Sequence, residues 1–184
     1  MTELNAVGDV VLTDPAAMRA LATHLVLHDS LRRAGAATTG ELAQLSGSDA
    51  SDVLRDLEAL EEVGLVERRE ESRWALVGRG VFFEIPDEPE GQSAARQLSN
   101  AMYLQYADIP RRWVDDDEPQ LTLDWARAAG LLQVGLSVTP DELRDIQAAI
   151  EKVLEPYLTR GPGDVPEGAA RVRLLAYFMP GPAR

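Results

Sequence analysis

The chain has 184 residues, 45% of them hydrophobic and 27% charged, with a net charge of −13 and no cysteine. That length can bury a real core in one or two small domains, and the missing thiols exclude disulfides, thiolate metal centres and cysteine nucleophiles. The acidic balance lowers the expected non-specific affinity for nucleic acid, which comes mainly from phosphate neutralisation. No apolar run approaches the ~20 residues that span a bilayer. The start, Met1-Thr-Glu-Leu-Asn-Ala6, has neither a basic end nor an apolar signal core, so a cytoplasmic protein is expected. Lys152 is the one lysine among 18 basic residues, and this arginine bias points to a high-GC genome.

In chain order, Val10-Val-Leu12 reads as a short strand. Asp14 then caps a helix with Pro15 in its first turn, where a missing N–H costs nothing. Met18, Leu21, Leu25, His28 and Leu31 share one face of that helix, which Arg32, Arg33 and Gly35 end. Thr38 and Glu41 form a capping box for a short helix carrying Leu42 and Leu45, and Gly47 turns the chain. In the next helix Val53, Leu57 and Leu60 recur at i, i+4, i+7, so one face is buried. Gly64 stops it, because glycine takes a left-handed cap without steric penalty. Leu65-Val-Glu67 and Arg73-Trp-Ala-Leu-Val77 then read as a hairpin turning at Glu70-Glu-Ser72. Helix, capped helix, glycine turn, amphipathic helix and hairpin is the order of a winged helix-turn-helix.

Val81-Phe-Phe-Glu-Ile85 is a further strand or docking segment, and Pro86–Gly91 is a loop by composition. The domain boundary is set there: a winged helix-turn-helix domain over 1–85 and a helical and β extension over 86–184. In the extension a helical pattern runs from Gln92 to Ala107, and Leu131–Val138 alternates like a strand. Thr139-Pro-Asp-Glu142 opens a helix with the stripe Leu143, Ile146, Ile150, Val153, Leu154 and Tyr157. Val172–Phe178 reads as a last strand. The fold class expected is α+β, mainly helical with a small β wing.

These stretches resemble the ArsR-type winged-helix regulators, in the longer actinobacterial form with a C-terminal extension. The resemblance rests on Leu12–Ala22, Leu31–Thr38, Gly40–Ala43, Leu57–Glu67, Val81–Glu84, Leu136–Leu143 and Val172–Pro180, so it covers nearly the whole chain. It implies a homodimeric transcriptional regulator that sets one recognition helix per subunit in the major groove of double-stranded DNA. It further implies a repressor released by a small organic effector. The DNA-contact residues it places here are Ser51 and Arg55 on the recognition helix and Arg68, Arg69 and Arg73 on the wing. The departure is acidic: Asp52 and Asp56 stand where the family commonly offers a hydroxyl and a histidine, on the face expected to meet bases. A carboxylate can accept from cytosine N4, but it must first approach a groove walled by phosphates.

A second reading therefore stands beside the first. The winged helix has lost DNA binding and binds or transforms a small molecule in a pocket between helices. His24, His28, Tyr103, Tyr106, Trp113 and Trp125 are the pocket candidates, because aromatics and a few polar handles line such sites. His24 and His28, i and i+4, could also hold a metal with Asp29 or supply acid–base chemistry, yet packing histidines share that spacing. The run Asp115-Asp-Asp-Glu118 lacks the spacing of a calcium loop and reads as a solvated turn. No nucleophile motif, phosphate-cradling loop or dinucleotide fingerprint occurs, so no catalytic residue, metal or cofactor is assigned. A protein-interaction module using the acidic helix is a third reading without a motif of its own.

Overall fold

The computed structural model describes residues 3–5 and 8–181. Of the N-terminal run read for a signal, Met1, Thr2 and Ala6 lie outside them. Helices dominate and two small sheets accompany them, an α+β arrangement. Among the described residues no helix is long and apolar enough to cross a membrane.

Strand β1 (Val10–Leu12) leads into α1 (Pro15–Thr23), where the Asp14 side chain accepts from the Ala16 N–H at 3.0 Å. The single long helix expected here is two. At His24 the backbone leaves helical geometry (φ −110°, ψ 25°), and α2 (Leu25–Ala34) starts afresh. The Thr23 hydroxyl donates to the Arg19 carbonyl at 2.9 Å, a back-bond that bends helices. Burial survives the break: Met18, Leu21, Leu25, His28 and Leu31 all lie in the interior.

A strand that the sequence does not announce, β2 (Ala36–Thr38), leads to α3 (Thr39–Ser46). Its capping box is complete, with the Glu41 N–H donating to the Thr38 hydroxyl and the Thr38 N–H to Glu41 Oε2. Gly47 sits in the left-handed region (φ 67°), as the sharp turn into α4 (Ala50–Glu62) requires. Val53, Leu57 and Leu60 of α4 are buried, as their spacing demands. Gly64 (φ 73°) releases the chain into β3 (Val66–Arg68), which pairs antiparallel with β4 (Arg73–Leu76). β4 takes β2 on its other edge, giving the order β2-β4-β3 with Ala37 opposite Trp74. Strand β5 (Val81–Phe83) returns to pair in parallel with β1, Val10 opposite Val81.

The first compact unit extends to Ser137, beyond the boundary expected near residue 85. The reason is α5 (Pro89–Tyr106), whose Ala94, Ala95 and Leu98 are buried in the same core as Met18 and Leu21 of α1. Arg19 of α1 also donates to Glu90 of α5 at 2.8 Å. Short helices α6 (Ile109–Arg112) and α7 (Leu123–Ala128) follow, and between them Asp115–Asp117 lies exposed in a wide helical turn. The second unit begins at Val138 and contains α8 (Pro140–Leu158), opened by the Thr139–Glu142 capping box. The stretches 131–138 and 172–178, read as strands from their alternation, form none. Alternation records a side-chain pattern; a strand also needs a hydrogen-bonding neighbour.

Candidate nucleic-acid interface

The α3–Gly47–α4 pair and the β3–β4 hairpin place the predicted DNA-contact residues on one stretch of chain, each with an intramolecular partner. At the start of α4, Asp49 Oδ1 accepts from both the Ser51 N–H (2.8 Å) and the Ser51 hydroxyl (2.6 Å). The two bonds hold the Asp49 carboxyl below its usual range, the hydroxyl contributing most. One turn on, Arg55 Nη1 lies 3.0 Å from Asp52 Oδ1, and both side chains are well exposed. Leu54 is exposed beside them.

The hairpin arginines are likewise occupied. Arg68 spans two carboxylates of α4, with Nη2 3.2 Å from Glu58 and Nε 3.2 Å from Glu61. Its guanidinium also lies over the Trp74 ring, 4.4 Å from the centroid. Arg69 pairs with Glu67. Arg73 Nη2 donates to the Ala36 carbonyl at 2.6 Å and stands 3.4 Å from Glu41. Glu41 is itself held below the usual carboxylate range, first by the Thr38 N–H and then by its hydroxyl.

Electrostatically, α4 carries five carboxylates and a single arginine. Exposed pairs of this kind are worth about 0–1 kcal/mol each, so a phosphate can displace the carboxylate partner. The carboxylate nevertheless stays nearby and repels the same phosphate.

The two aspartates expected to face bases part company. Asp52 is exposed, whereas Asp56 is half-exposed and turns to His24, 3.4 Å from its Nδ1. The second histidine is elsewhere: His28 is buried, and its Nδ1 has no hydrogen-bond partner. Burial lowers the His28 pKa to about 4, against the opposing pull of Asp29 and helped by Arg32. His24 and His28 therefore present no joint face to a metal. Among the described residues no cluster of three or more His, Asp or Glu could hold one.

Of the aromatic pocket candidates, Tyr106 donates from its hydroxyl to Asp29 at 3.1 Å and ties α5 to α2. Tyr103 is exposed, while Trp113 and Trp125 are half-buried. An open cleft of about 410 Å³ lies instead among Ala34, Ala36, Ala37, Gln44 and Leu45, with the Arg73–Glu41 pair in its wall. None of the six predicted pocket residues lines it. The sequence reading missed Glu58 and Glu61, whose i, i+3 spacing on α4 was the available sign of a cation between them.

Residues 22–77 match the family model HVO_A0114. That span encloses α2, the α3–Gly47–α4 pair and the three-stranded sheet. No curated protein matches the chain.

Proposed function

We propose that this chain is a winged helix-turn-helix transcriptional regulator similar to the ArsR type, reading double-stranded DNA as a homodimer. In this reading α4 is the recognition helix, the β3–β4 hairpin is the wing, and a small organic effector shifts the population to a DNA-incompetent state. The observation that supports it is the two-faced character of α4. Val53, Leu57 and Leu60 are buried, while Ser51, Leu54 and Arg55 are exposed beside a hairpin carrying three arginines. Ser51 and Arg55 on this face, with the exposed Asp52 between them, suit base contact, and the arginines of the hairpin suit phosphate contact.

The function is cytoplasmic in this reading, and the ion pairs set its strength. Each arginine must give up a carboxylate when it meets a phosphate, so affinity is modest and depends on the rest of the contact. Selection from randomised duplex DNA at low salt tests the proposal: a recovered palindromic motif supports it, and a folded dimer that enriches nothing overturns it.

A second reading has its own observation. Arg55, Arg68, Arg69 and Arg73 all have carboxylate partners, which suits a winged helix that no longer binds DNA and has been turned to a small molecule. The cleft beside Arg73 is then the place for that ligand. Failure of the DNA selection, with a ligand that protects the fold thermally, would favour it.

A further inference from the structure

The walls of the cleft beside Arg73 divide into an apolar part and a charged part. Its volume of about 410 Å³ is near the small end of ligand sites, which run from roughly 300 to 1,000 Å³. The apolar part is Ala34 at the end of α2, Ala36 and Ala37 of β2, and Leu45 of α3. Ala37 is buried, and the Leu45 side chain stands 67% exposed at the rim. The charged part is one base and one acid, Arg73 of β4 and Glu41 of α3, joined by the Gln44 amide.

Both charged groups keep hydrogen-bonding capacity. Arg73 commits only Nη2, which donates to the Ala36 carbonyl and faces Glu41, so Nη1 and Nε retain donors. Glu41 accepts from the Thr38 N–H and hydroxyl and stays ionised at neutral pH; a carboxylate has room for about four such bonds. The two charges stand 3.4 Å apart, and a ligand carrying both signs at a similar spacing matches them. A simple carboxylate meets Glu41 and the −13 net charge of the chain, and a simple amine brings a second cation to Arg73. An α-amino acid holds its carboxylate and ammonium on one carbon, has no net charge, and leaves its side chain for the apolar part.

We propose that this cleft binds a free α-amino acid with an aliphatic side chain. Arg73 pairs with its carboxylate, Glu41 with its ammonium, and Leu45 with the three alanines covers the side chain. The inference gives a chemical class to the small molecule of the functional reading and rests on that part alone, not on DNA binding.

The probe is L-leucine, titrated into the full chain and followed by amide-resolved nuclear magnetic resonance. Isocaproate, the same skeleton without the ammonium, and isoamylamine, without the carboxylate, are the controls. L-leucine should shift the amides of Ala36, Ala37, Gln44 and Leu45 and bind about tenfold tighter than either control. Glu41→Gln keeps the capping box, since glutamine serves there too, and should bring L-leucine down to the affinity of isocaproate. Leu45→Glu, at an exposed position, should abolish binding with the spectrum otherwise kept. No saturable shift at millimolar L-leucine overturns the proposal. So does isocaproate binding as tightly as L-leucine, or a Glu41→Gln variant that binds L-leucine as before. DNA selection that succeeds without L-leucine binding sinks this inference and leaves the regulator reading standing; L-leucine binding by a protein that selects no DNA does the reverse.

Discussion

His24 Nδ1 lies 3.4 Å from Asp56 Oδ1, joining the break between α1 and α2 to the middle of α4. This pair removes one carboxylate from the proposed DNA face and leaves Asp52 there with Arg55. The two aspartates should therefore differ in their effect on DNA. Asp52→Asn should raise affinity roughly fivefold, the worth of ~1 kcal/mol of relieved repulsion near a phosphate. Asp56→Asn should change it less than twofold. Titrating both variants against one operator at fixed salt checks this; equal gains would show that Asp56 also faces the groove.

Arg68 holds the hairpin to α4 through Glu58, Glu61 and the Trp74 ring. Lysine cannot reproduce a fork that reaches two carboxylates while stacking on an indole. Arg68→Lys and Arg68→Ala should both destabilise the fold by roughly 1 kcal/mol, discounted for exposure. Urea unfolding reads the loss, and full rescue by lysine would show that charge alone matters.

The hairpin turn carries backbone strain. Glu71 (φ 58°) and Ser72 (φ 56°) both adopt the left-handed region, which costs L-residues roughly 1–2 kcal/mol each. Asn-Gly is the pair such a turn favours. Glu71→Asn with Ser72→Gly should raise stability by about 1–2 kcal/mol, and a lowered melting temperature would contradict the geometry.

His28 makes the fold acid-sensitive. Its pKa is lowered to about 4 in the folded chain, chiefly by burial, from an ordinary 6.5. The unfolded chain therefore binds the proton first as pH falls. The stability of neutral His28 is intact above about 6.5 and is lost progressively down to about 4, roughly 3 kcal/mol in all. Chemical unfolding from pH 7.5 to 4 should show this slope, and His28→Leu should flatten it. An unchanged slope in that variant would place the sensitivity elsewhere.

Local signals in the sequence carried much of the architecture. The Val53/Leu57/Leu60 spacing, both capping boxes and the stops at Gly47 and Gly64 need only neighbouring residues to be interpreted. The rest depends on distant partners. The break at His24 has no local sign in the apolar spacing, which runs unbroken across it, and β2 exists because β4 offers it an edge. Helix α5 joins the first unit because Ala94, Ala95 and Leu98 fit the α1 surface. At the candidate interface the sequence supplied the five predicted contact residues and the acidic substitution at 52. The Arg55–Asp52 and Arg69–Glu67 pairs join near neighbours in sequence, whereas those of Arg68 and Arg73 span 7 to 32 positions and depend on the fold.

In the proposed function α4 and its hairpin bind DNA through arginines that must exchange carboxylates for phosphates. A salt series of affinity on a selected operator, for the intact protein and for Arg69→Ala, tests it most directly. Four arginines per subunit allow a slope of log K against log salt no steeper than about −7 for a dimer, and Arg69→Ala should reduce its magnitude by about 1–2. Binding that is absent at low salt, or that ignores salt altogether, would contradict the account.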